Sequence, residues 1–233
     1  MEFLKDLKEG FISLFYPRLC LACGKNSPPT KQIICVNCQY YLPKTNFHIE
    51  KENNFTDRFW GRFPLYTGAA MYHFIKKGRV QHLIHNLKYN NKPEVGYFIG
   101  LKYGEILKEA SLYKDVDVII PVPLHPKRER QRGYNQSEAF ARGLAESMEI
   151  RYYSKVLVRT IATTSQTKKS RIERLKNVET AFQLIRPEIL QGKNVLIVDD
   201  VLTTGATLEA CALKILEISK VRISLATIGI AER

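Results

Sequence analysis

The sequence predicts an α/β protein in which a parallel sheet is covered by helices and preceded by a small cysteine-rich module. From residue 74 onward, short apolar runs alternate with helix-like runs, as in sheets whose strands are joined by crossover helices. Four cysteines lie close together near the N-terminus. A chain of 233 residues has room for one domain of roughly 150 to 200 residues and a small module. We place these units at residues 1–45 and 58–233, with the polar stretch 40–57 as a linker.

Hydrophobic periodicity predicts the elements of the larger unit one by one, with Ser137 as a candidate N-cap. The basic stretches 121–136 and 160–178 are predicted to be loops. In chain order, the pattern predicts helices at 80–89 and 95–110, a strand at 116–120, a helix at 137–148, strands at 155–158 and 194–198, a helix at 206–218 and a strand at 222–230.

The first seventeen residues contain Asp6 and Glu9 and lack the unbroken apolar run of a secretory signal. No later stretch approaches the ~20 apolar residues of a membrane span, so a cytoplasmic protein is expected. The apolar residues between Phe3 and Phe15 fall on one helical face. We expect this helix to dock on the protein itself, with a membrane-surface anchor as the alternative.

The chain is strongly basic, with a net charge of +13. Residues 125–176 hold thirteen basic and five acidic side chains, a surplus of 13 − 5 = 8. Such a cluster attracts a polyanion, either the phosphates of a small substrate or a nucleic-acid backbone. A solubilising face is the alternative, but the glycine, amide and hydroxyl residues in the same stretch suit the binding of phosphate groups.

The N-terminal cysteines form two C-x2-C pairs separated by eleven residues. Four thiolates at this spacing favour a tetrahedral structural zinc site, with two disulfides or an iron–sulfur cluster as the rival interpretations. A closed site of this kind has no open position for a substrate, so the module is expected to stabilise folding independently of catalysis. Cys211 lies in an apolar helical run and is expected to serve packing. The four predicted ligands are Cys20, Cys23, Cys35 and Cys38.

The sharpest motif is VLIVDDVLTTGAT at residues 195–207. An apolar strand ends in Asp199 and Asp200, and a glycine-containing turn then leads into a helix. Ligands of open α/β sheets bind at such strand ends, and a helix N-terminus behind a glycine turn suits a phosphate group. Two carboxylates beside a phosphate need another partner, such as sugar hydroxyls or Mg2+. The pattern therefore indicates a phosphorylated sugar, with a purely structural strand end as the alternative.

This motif resembles the 5-phosphoribosyl-1-pyrophosphate (PRPP) motif of type I phosphoribosyltransferases. The resemblance implies a type I phosphoribosyltransferase-like parallel sheet flanked by helices, in which Asp199 and Asp200 hold the ribose 2′ and 3′ hydroxyls and act in catalysis with Mg2+. No G-x4-G-K-[ST] sequence is present, which excludes a P-loop nucleotidase. The residues that would bind the 5-phosphate are Thr203, Thr204, Gly205, Ala206 and Thr207.

Together with the cysteines, the runs PVPLHPKRERQRGYNQSE (121–138) and SQTKKSRIERLKNVETAF (165–182) resemble the ComF family. That family combines a zinc finger with a phosphoribosyltransferase domain and is associated with DNA uptake in competence. The resemblance implies transfer of phosphoribosyl to an unidentified acceptor, and single-stranded DNA and a competence helicase as partners. The alternative is a non-catalytic protein that senses PRPP or binds single-stranded DNA.

The resemblance also indicates where the pyrophosphate would lie. The loop after the strand 116–120 would bind it through Arg132 and Gly133, with a solvated basic loop as the alternative. The stretch 165–177 would close over the reaction and exclude water. Gln166, Arg174 and Asn177 match family positions there, whereas Lys168 and Lys169 are equally suited to contacts with solvent or a nucleic acid. No general base is evident.

Overall fold

The centre of the protein is a parallel sheet, seen in a computed structural model that describes residues 17–30, 32–160 and 181–232. Its strands are β1 (Thr67–Phe74), β2 (Val118–Pro121), β3 (Arg151–Tyr152), β6 (Asn194–Leu202) and β7 (Arg222–Ala231). These five strands lie in the order β1-β7-β6-β2-β3, and every neighbouring pair is parallel. A separate antiparallel ribbon consists of β4 (Leu157–Arg159) and β5 (Phe182–Leu184).

Helices connect and cover the strands, which confirms the predicted α/β class. Among the described residues, no helix is both long enough and apolar enough to span a membrane. The helices are α1 (Val36–Tyr41), α2 (Arg79–Tyr89), α3 (Pro93–Glu109), α4 (Pro126–Arg132), α5 (Gln136–Met148) and α6 (Ala206–Leu216), and 3₁₀ turns lie at Thr56–Phe59 and Pro187–Leu190.

Strand β6 occupies the middle of the sheet, between β2 and β7. Its apolar run 195–198 is fully buried, as expected for a strand covered on both faces. The strand was predicted to end at Val198, but it continues to Leu202 because pairing with β7 extends through that residue. The acidic pair therefore belongs to the strand itself, and its backbone direction is fixed by the sheet.

Helices α3 and α5 pack at unusually close range because glycines line their contact. A Cβ on Gly143 would lie 2.7 Å from the backbone nitrogen of Leu101 and closer still to the carbonyl oxygen of Tyr97. A Cβ on Gly100 would likewise overlap the carbonyl oxygen of Phe140. This packing fixes α5, and α5 begins beside the acidic pair of β6.

Two features of residues 121–138 differ from the prediction. The stretch 121–136 was predicted to be a loop, but it contains helix α4, whose N-cap is the His125 side chain, accepting from the Lys127 N–H at 3.2 Å. Ser137 was predicted to cap α5, but the cap is Asn135, whose side chain accepts from the Ser137 N–H at 3.0 Å. The prediction failed because Asn and Ser are both good caps, and the hydrogen bonds decide between them.

Residues 40–57 were predicted to form a linker, but they are hydrogen-bonded to β1. The Thr45 N–H donates to the Met71 carbonyl at 3.1 Å, and the His73 N–H donates to the Pro43 carbonyl at 2.8 Å. Phe55 is fully buried. The stretch therefore holds the edge of the sheet rather than spacing two independent units.

The cysteine-rich module shares a hydrophobic cluster with the sheet and its helices. Ile34 and Leu42 belong to the same buried cluster as Leu83 and Leu87 of α2. In addition, the Asn86 side chain of α2 donates to the Leu21 carbonyl at 2.8 Å. Helix α2 therefore connects the cysteine module to the rest of the core. The amphipathic stretch 3–15 lies outside the described residues.

We expect Gly143→Ala to lower the free energy of unfolding by about 1 to 3 kcal/mol, because the new methyl group forces α3 and α5 apart. Urea denaturation would measure the change. The control is Lys102→Ala on the exposed face of α3, which should stay within about 0.5 kcal/mol of wild type. Equal stabilities of the two variants would contradict the proposed close contact.

Candidate functional site at the carboxyl edge of the sheet

The acidic pair lies near the carboxyl end of β6 and is held by three groups. The Ser137 hydroxyl donates to Asp199 Oδ1 at 2.7 Å, and the Asp200 N–H donates to the same oxygen at 2.9 Å. The Lys88 ammonium lies 2.9 Å from Asp200 Oδ2, and the Asp200 side chain is only 7% exposed. Two adjacent carboxylates are thus oriented by α5, by their own backbone and by the end of α2.

The environment of Asp199 disfavours its charged form. Burial, followed by the charge of Asp200, raises the pKa of Asp199 to about 7, and the hydrogen bond from Ser137 opposes this rise. At neutral pH the pair therefore carries less than its full charge of two. A ligand that donates hydrogen bonds or brings a cation favours the fully charged pair.

The anion loop follows directly, where residues 203–205 turn into α6. Gly205 is the N-cap of α6 and has a φ of 81°, in the left-handed region that suits glycine. A Cβ at this position would also lie 2.7 Å from the Phe59 ring. Glycine is thus required by the turn, as the sequence predicted, and also by the packing against Phe59, which the sequence did not indicate.

Two arginines of the segment 58–62 donate hydrogen bonds to carbonyl groups of this loop. Arg58 donates to the Thr203 carbonyl, and Arg62 donates to the Thr204 carbonyl at 3.1 Å. Arg62 is itself held by an ion pair with Glu209 of α6. The Thr203 and Thr204 carbonyls are therefore occupied by arginines, and the Ala206 N–H at the start of α6 makes a long contact of 3.5 Å with the Thr204 hydroxyl. A helix N-terminus of this kind suits an anion.

Arg132 and Gly133 lie at the end of α4. This helix follows β2, which is the neighbour of β6 in the sheet, and the anion loop follows β6. Gly133 has a φ of 80° and ends the helix, and the Arg132 guanidinium lies over the Tyr89 ring at 5.4 Å. The next residue, Tyr134, donates its hydroxyl hydrogen to the Leu87 carbonyl. The predicted pyrophosphate-binding residues are therefore attached to the same end of α2 that carries Lys88.

The structure brings most of the predicted residues to one edge of the sheet. Asp199 lines a small pocket together with residues 201–208, which include the five predicted phosphate-binding positions. Arg128 and Arg130 of α4 are exposed, whereas Arg132 is partly buried. The predicted positions Gln166, Lys168, Lys169, Arg174 and Asn177 lie outside the described residues.

Sequence reasoning missed four side chains that shape this site. They come from segments far from the motif, and only tertiary contacts bring them to it. Ser137 could have been suspected, because it begins a helix next to the basic run, but it had been assigned to capping. The missed residues are Arg58, Arg62, Lys88 and Ser137.

The four N-terminal cysteines form a compact cluster that could hold a metal ion. Their sulfur atoms all lie within 4.8 Å of one another, and the sulfurs of Cys23 and Cys35 are 3.9 Å apart. Tetrahedral zinc with Zn–S bonds of about 2.3 Å requires sulfurs about 3.8 Å apart, so the cluster has the right size. The N–H groups of Ala22 and Cys35 donate to the Cys20 sulfur at 3.4 and 3.3 Å.

Within this cluster the pKa shifts go in opposite directions. Hydrogen bonds from the backbone at Asn26 and Lys25 lower the pKa of Cys23 to about 6. Burial and the other three thiols raise the pKa of Cys38. Four thiolates therefore repel one another unless a divalent cation balances their charge. The remaining cysteine, Cys211, is fully buried in α6, in agreement with a packing role.

The chain is similar to several known proteins. A family model described as "Phosphoribosyl transferase domain" matches residues 135–230, which include the acidic pair and the anion loop. The chain is 27% identical over 209 residues to Competence protein F of Haemophilus influenzae, covering 83% of this chain and 89% of that protein. It is 37% identical over 103 residues to Competence protein ComFC of Bacillus subtilis, covering 44% and 40%. By these matches the chain is similar to competence proteins of the ComF type.

A further relative is the DNA utilization protein YhgH of Escherichia coli, 36% identical over 133 residues. That match covers 56% of this chain and 58% of the relative, which is less than two thirds of its length. The phosphoribosyltransferase-type sheet and the cysteine cluster confirm the fold class that the sequence had predicted.

We expect the Asp199 carboxyl group to titrate near pH 7, which 13C NMR of protein labelled at aspartate would measure. Ser137→Ala should raise this pKa further, because a hydrogen bond to the charged form is lost. Asp200→Asn should lower it, because the neighbouring charge is removed. Since the folded-state pKa is above the ordinary value of 3.8, stability from this group falls as pH rises between the two values. An Asp199 titration near the ordinary value in wild type would contradict this assignment.

Proposed function

We propose that this protein binds PRPP at the carboxyl edge of its sheet and transfers the phosphoribosyl group to an acceptor. The observation that carries the proposal is the joining, at the end of one central strand, of an oriented acidic pair and a glycine-capped anion loop. A phosphorylated sugar with free hydroxyls is the ligand whose groups match both parts.

The anion loop would bind the 5-phosphate. The N–H groups of Gly205, Ala206 and Thr207 begin α6, and the hydroxyls of Thr203 and Thr207 add donors. Arg58 and Arg62 hold the loop in place from the opposite side. The phosphate would therefore bind to a loop that is already formed, which lowers the entropic cost of binding.

Asp199 and Asp200 would accept hydrogen bonds from the ribose hydroxyls. The hydrogen bond from Ser137 leaves the second oxygen of Asp199 for a ligand, and the ion pair of Asp200 with Lys88 indicates that this position accepts a cation. Oxygen ligands of this kind also suit Mg2+. Negative charge beside the ribose ring would stabilise the positive charge that develops there as the bond to pyrophosphate breaks.

Arg132 would bind the pyrophosphate as it leaves the anomeric carbon, and Gly133, whose N–H donates to the Glu129 carbonyl at 2.7 Å, would let the ligand approach the backbone. In this reaction the carbon–oxygen bond to pyrophosphate breaks, a nucleophile of the acceptor bonds to the same carbon, and pyrophosphate keeps the electron pair. Mg2+, when bound, would neutralise part of the charge on the leaving group. The arginine is already placed by its contact with Tyr89, so it needs little reorganisation.

The cysteine cluster would hold a structural zinc ion. Its four ligands have the size and the hydrogen bonds that thiolate coordination requires, and no fifth group is needed. Reduced thiolates of this kind fit the cytoplasmic location predicted from the sequence. The cluster would stabilise the position of α2 through the contact between Leu21 and Asn86.

The names of the relatives connect two of them with competence and one with DNA utilization. We extend this biological setting to the present chain. The exposed arginines of α4, Arg128 and Arg130, are described residues suited to the phosphates of single-stranded DNA. Single-stranded DNA and a competence helicase remain predicted partners.

Calorimetry with PRPP and Mg2+ tests the proposed ligand. Wild type should bind, and Gly205→Val should weaken binding by about 10- to 100-fold, because the distorted loop loses charge-assisted hydrogen bonds to the phosphate. Asp199→Asn with Asp200→Asn should reduce turnover by about 100- to 1,000-fold once an acceptor is found, with a smaller loss of affinity.

Pyrophosphate release would be followed across candidate acceptors. The matched control for the loop is Gly192→Val, which also changes a glycine with positive φ but lies at the opposite edge of the sheet. Absence of PRPP binding by wild type, or equal binding by the two glycine variants, would refute the proposed site.

Purified protein should contain one zinc ion per chain, as metal analysis under reducing conditions would show. Cys35→Ser should lose the metal and lower the melting temperature. The sequence suggested that the module acts independently of catalysis, but the contact between Leu21 and Asn86 leads us to expect a weaker PRPP affinity in this variant. An iron–sulfur absorption spectrum, or zinc-free protein of unchanged stability, would contradict the assignment.

A further inference from the structure

We propose that Lys88 is a PRPP-binding residue whose ammonium group pairs with Asp200 in the free site and with the pyrophosphate of PRPP in the bound site. This inference rests on the proposed function and names a residue of the same site that no sequence motif indicates. It follows from the position of Lys88 between the acidic pair and the pyrophosphate-binding residues.

Lys88 is in direct contact with the acidic pair. The Lys88 ammonium lies 2.9 Å from Asp200 Oδ2, and the two side chains are 23% and 7% exposed. A ribose hydroxyl that donates to Asp200 must therefore approach within a few ångströms of this ammonium. When such a ligand binds, Lys88 either shares the carboxylate or turns to another anion.

The neighbours of Lys88 in α2 contact the predicted pyrophosphate-binding segment. The Leu87 carbonyl accepts from the Tyr134 hydroxyl, and the Tyr89 ring lies under Arg132. The end of α2 and the segment 132–134 are thus one packed unit. A pyrophosphate bound by Arg132 and Gly133 would lie beside the end of α2, where Lys88 supplies a second cation.

The balance of charge at the site also favours a change of partner for Lys88. In the free site, the Lys88 ammonium offsets the charge of two adjacent, poorly solvated carboxylates. When ribose hydroxyls donate to those carboxylates, the ammonium contributes less to their stabilisation. The pyrophosphate also brings new negative charge to the end of α2. Lysine suits this exchange, because its compact charge is carried by a flexible stem with three donors.

The test compares two ligands that share the ribose and the 5-phosphate but differ in the pyrophosphate. Affinities for PRPP and for ribose 5-phosphate, each with Mg2+, would be measured by calorimetry in wild type and in Lys88→Met, which keeps the aliphatic stem. We expect the preference for PRPP over ribose 5-phosphate to fall by about 10- to 100-fold in Lys88→Met. Lys88→Arg should restore most of this preference.

The matched control is Lys92→Met, four residues along the chain, where the lysine pairs with Glu94 on the surface and is 45% exposed. This variant should keep the wild-type preference. Equal changes in the two affinities of Lys88→Met, in either direction, would overturn the proposal, because a residue that only orients or blocks Asp200 affects both ligands alike. Failure of wild type to bind either ligand would overturn the proposed function itself, whereas wild-type binding with an unchanged preference in Lys88→Met would overturn only the role of Lys88.

Discussion

Two adjacent carboxylates at the end of the central strand set the main constraint on this protein. Asp200 is buried, and burial with the charge of Asp200 raises the pKa of Asp199 to about 7. Burying such a pair destabilises the folded state unless neighbouring groups donate hydrogen bonds or supply a cation. The Ser137 hydroxyl donates the hydrogen bond, and the Lys88 ammonium supplies the cation. This explains why the start of α5 and the end of α2 both lie beside β6.

Helix α2 links this site to the cysteine module. Asn86 is hydrogen-bonded to the carbonyl of Leu21 in the module, and Lys88 is paired with Asp200 two residues later. The carbonyl of Leu87, which lies between Asn86 and Lys88, accepts from the hydroxyl of Tyr134 in the predicted pyrophosphate-binding segment. A metal ion in the cysteine cluster would therefore do more than stabilise a separate fold, because it would fix the helix on which part of the site is built.

Much of the fold and the core of the site could be predicted because their signals are local. The apolar run before Asp199, the glycine at 205 and the paired cysteines each carry their meaning within a few residues. Strand β1 was missed because its TGAAMYHF sequence includes glycine and alanine, which are poor strand formers. Helix α4 was missed because its seven residues carry no apolar periodicity and none is buried.

The side chains that complete the site could not be predicted for a different reason. Lys88 and Ser137 reach the acidic pair across 112 and 62 residues of sequence, and Arg58 reaches the anion loop across 145. Nothing in a local pattern distinguishes such a lysine or arginine from one on a solvated surface. Only the packing of α2 and α5 against β6, and of the segment 56–62 against α6, selects these residues.

The central claim is that the acidic pair and the anion loop bind the two ends of one phosphorylated ribose. A crystal structure of the protein with PRPP and Mg2+ tests it most directly. The account predicts the 5-phosphate on the N–H groups at the start of α6 and the ribose hydroxyls on Asp199 and Asp200. A ribose hydrogen-bonded elsewhere, or a 5-phosphate bound at the exposed arginines of α4 while the Gly205 loop stays empty, would contradict it.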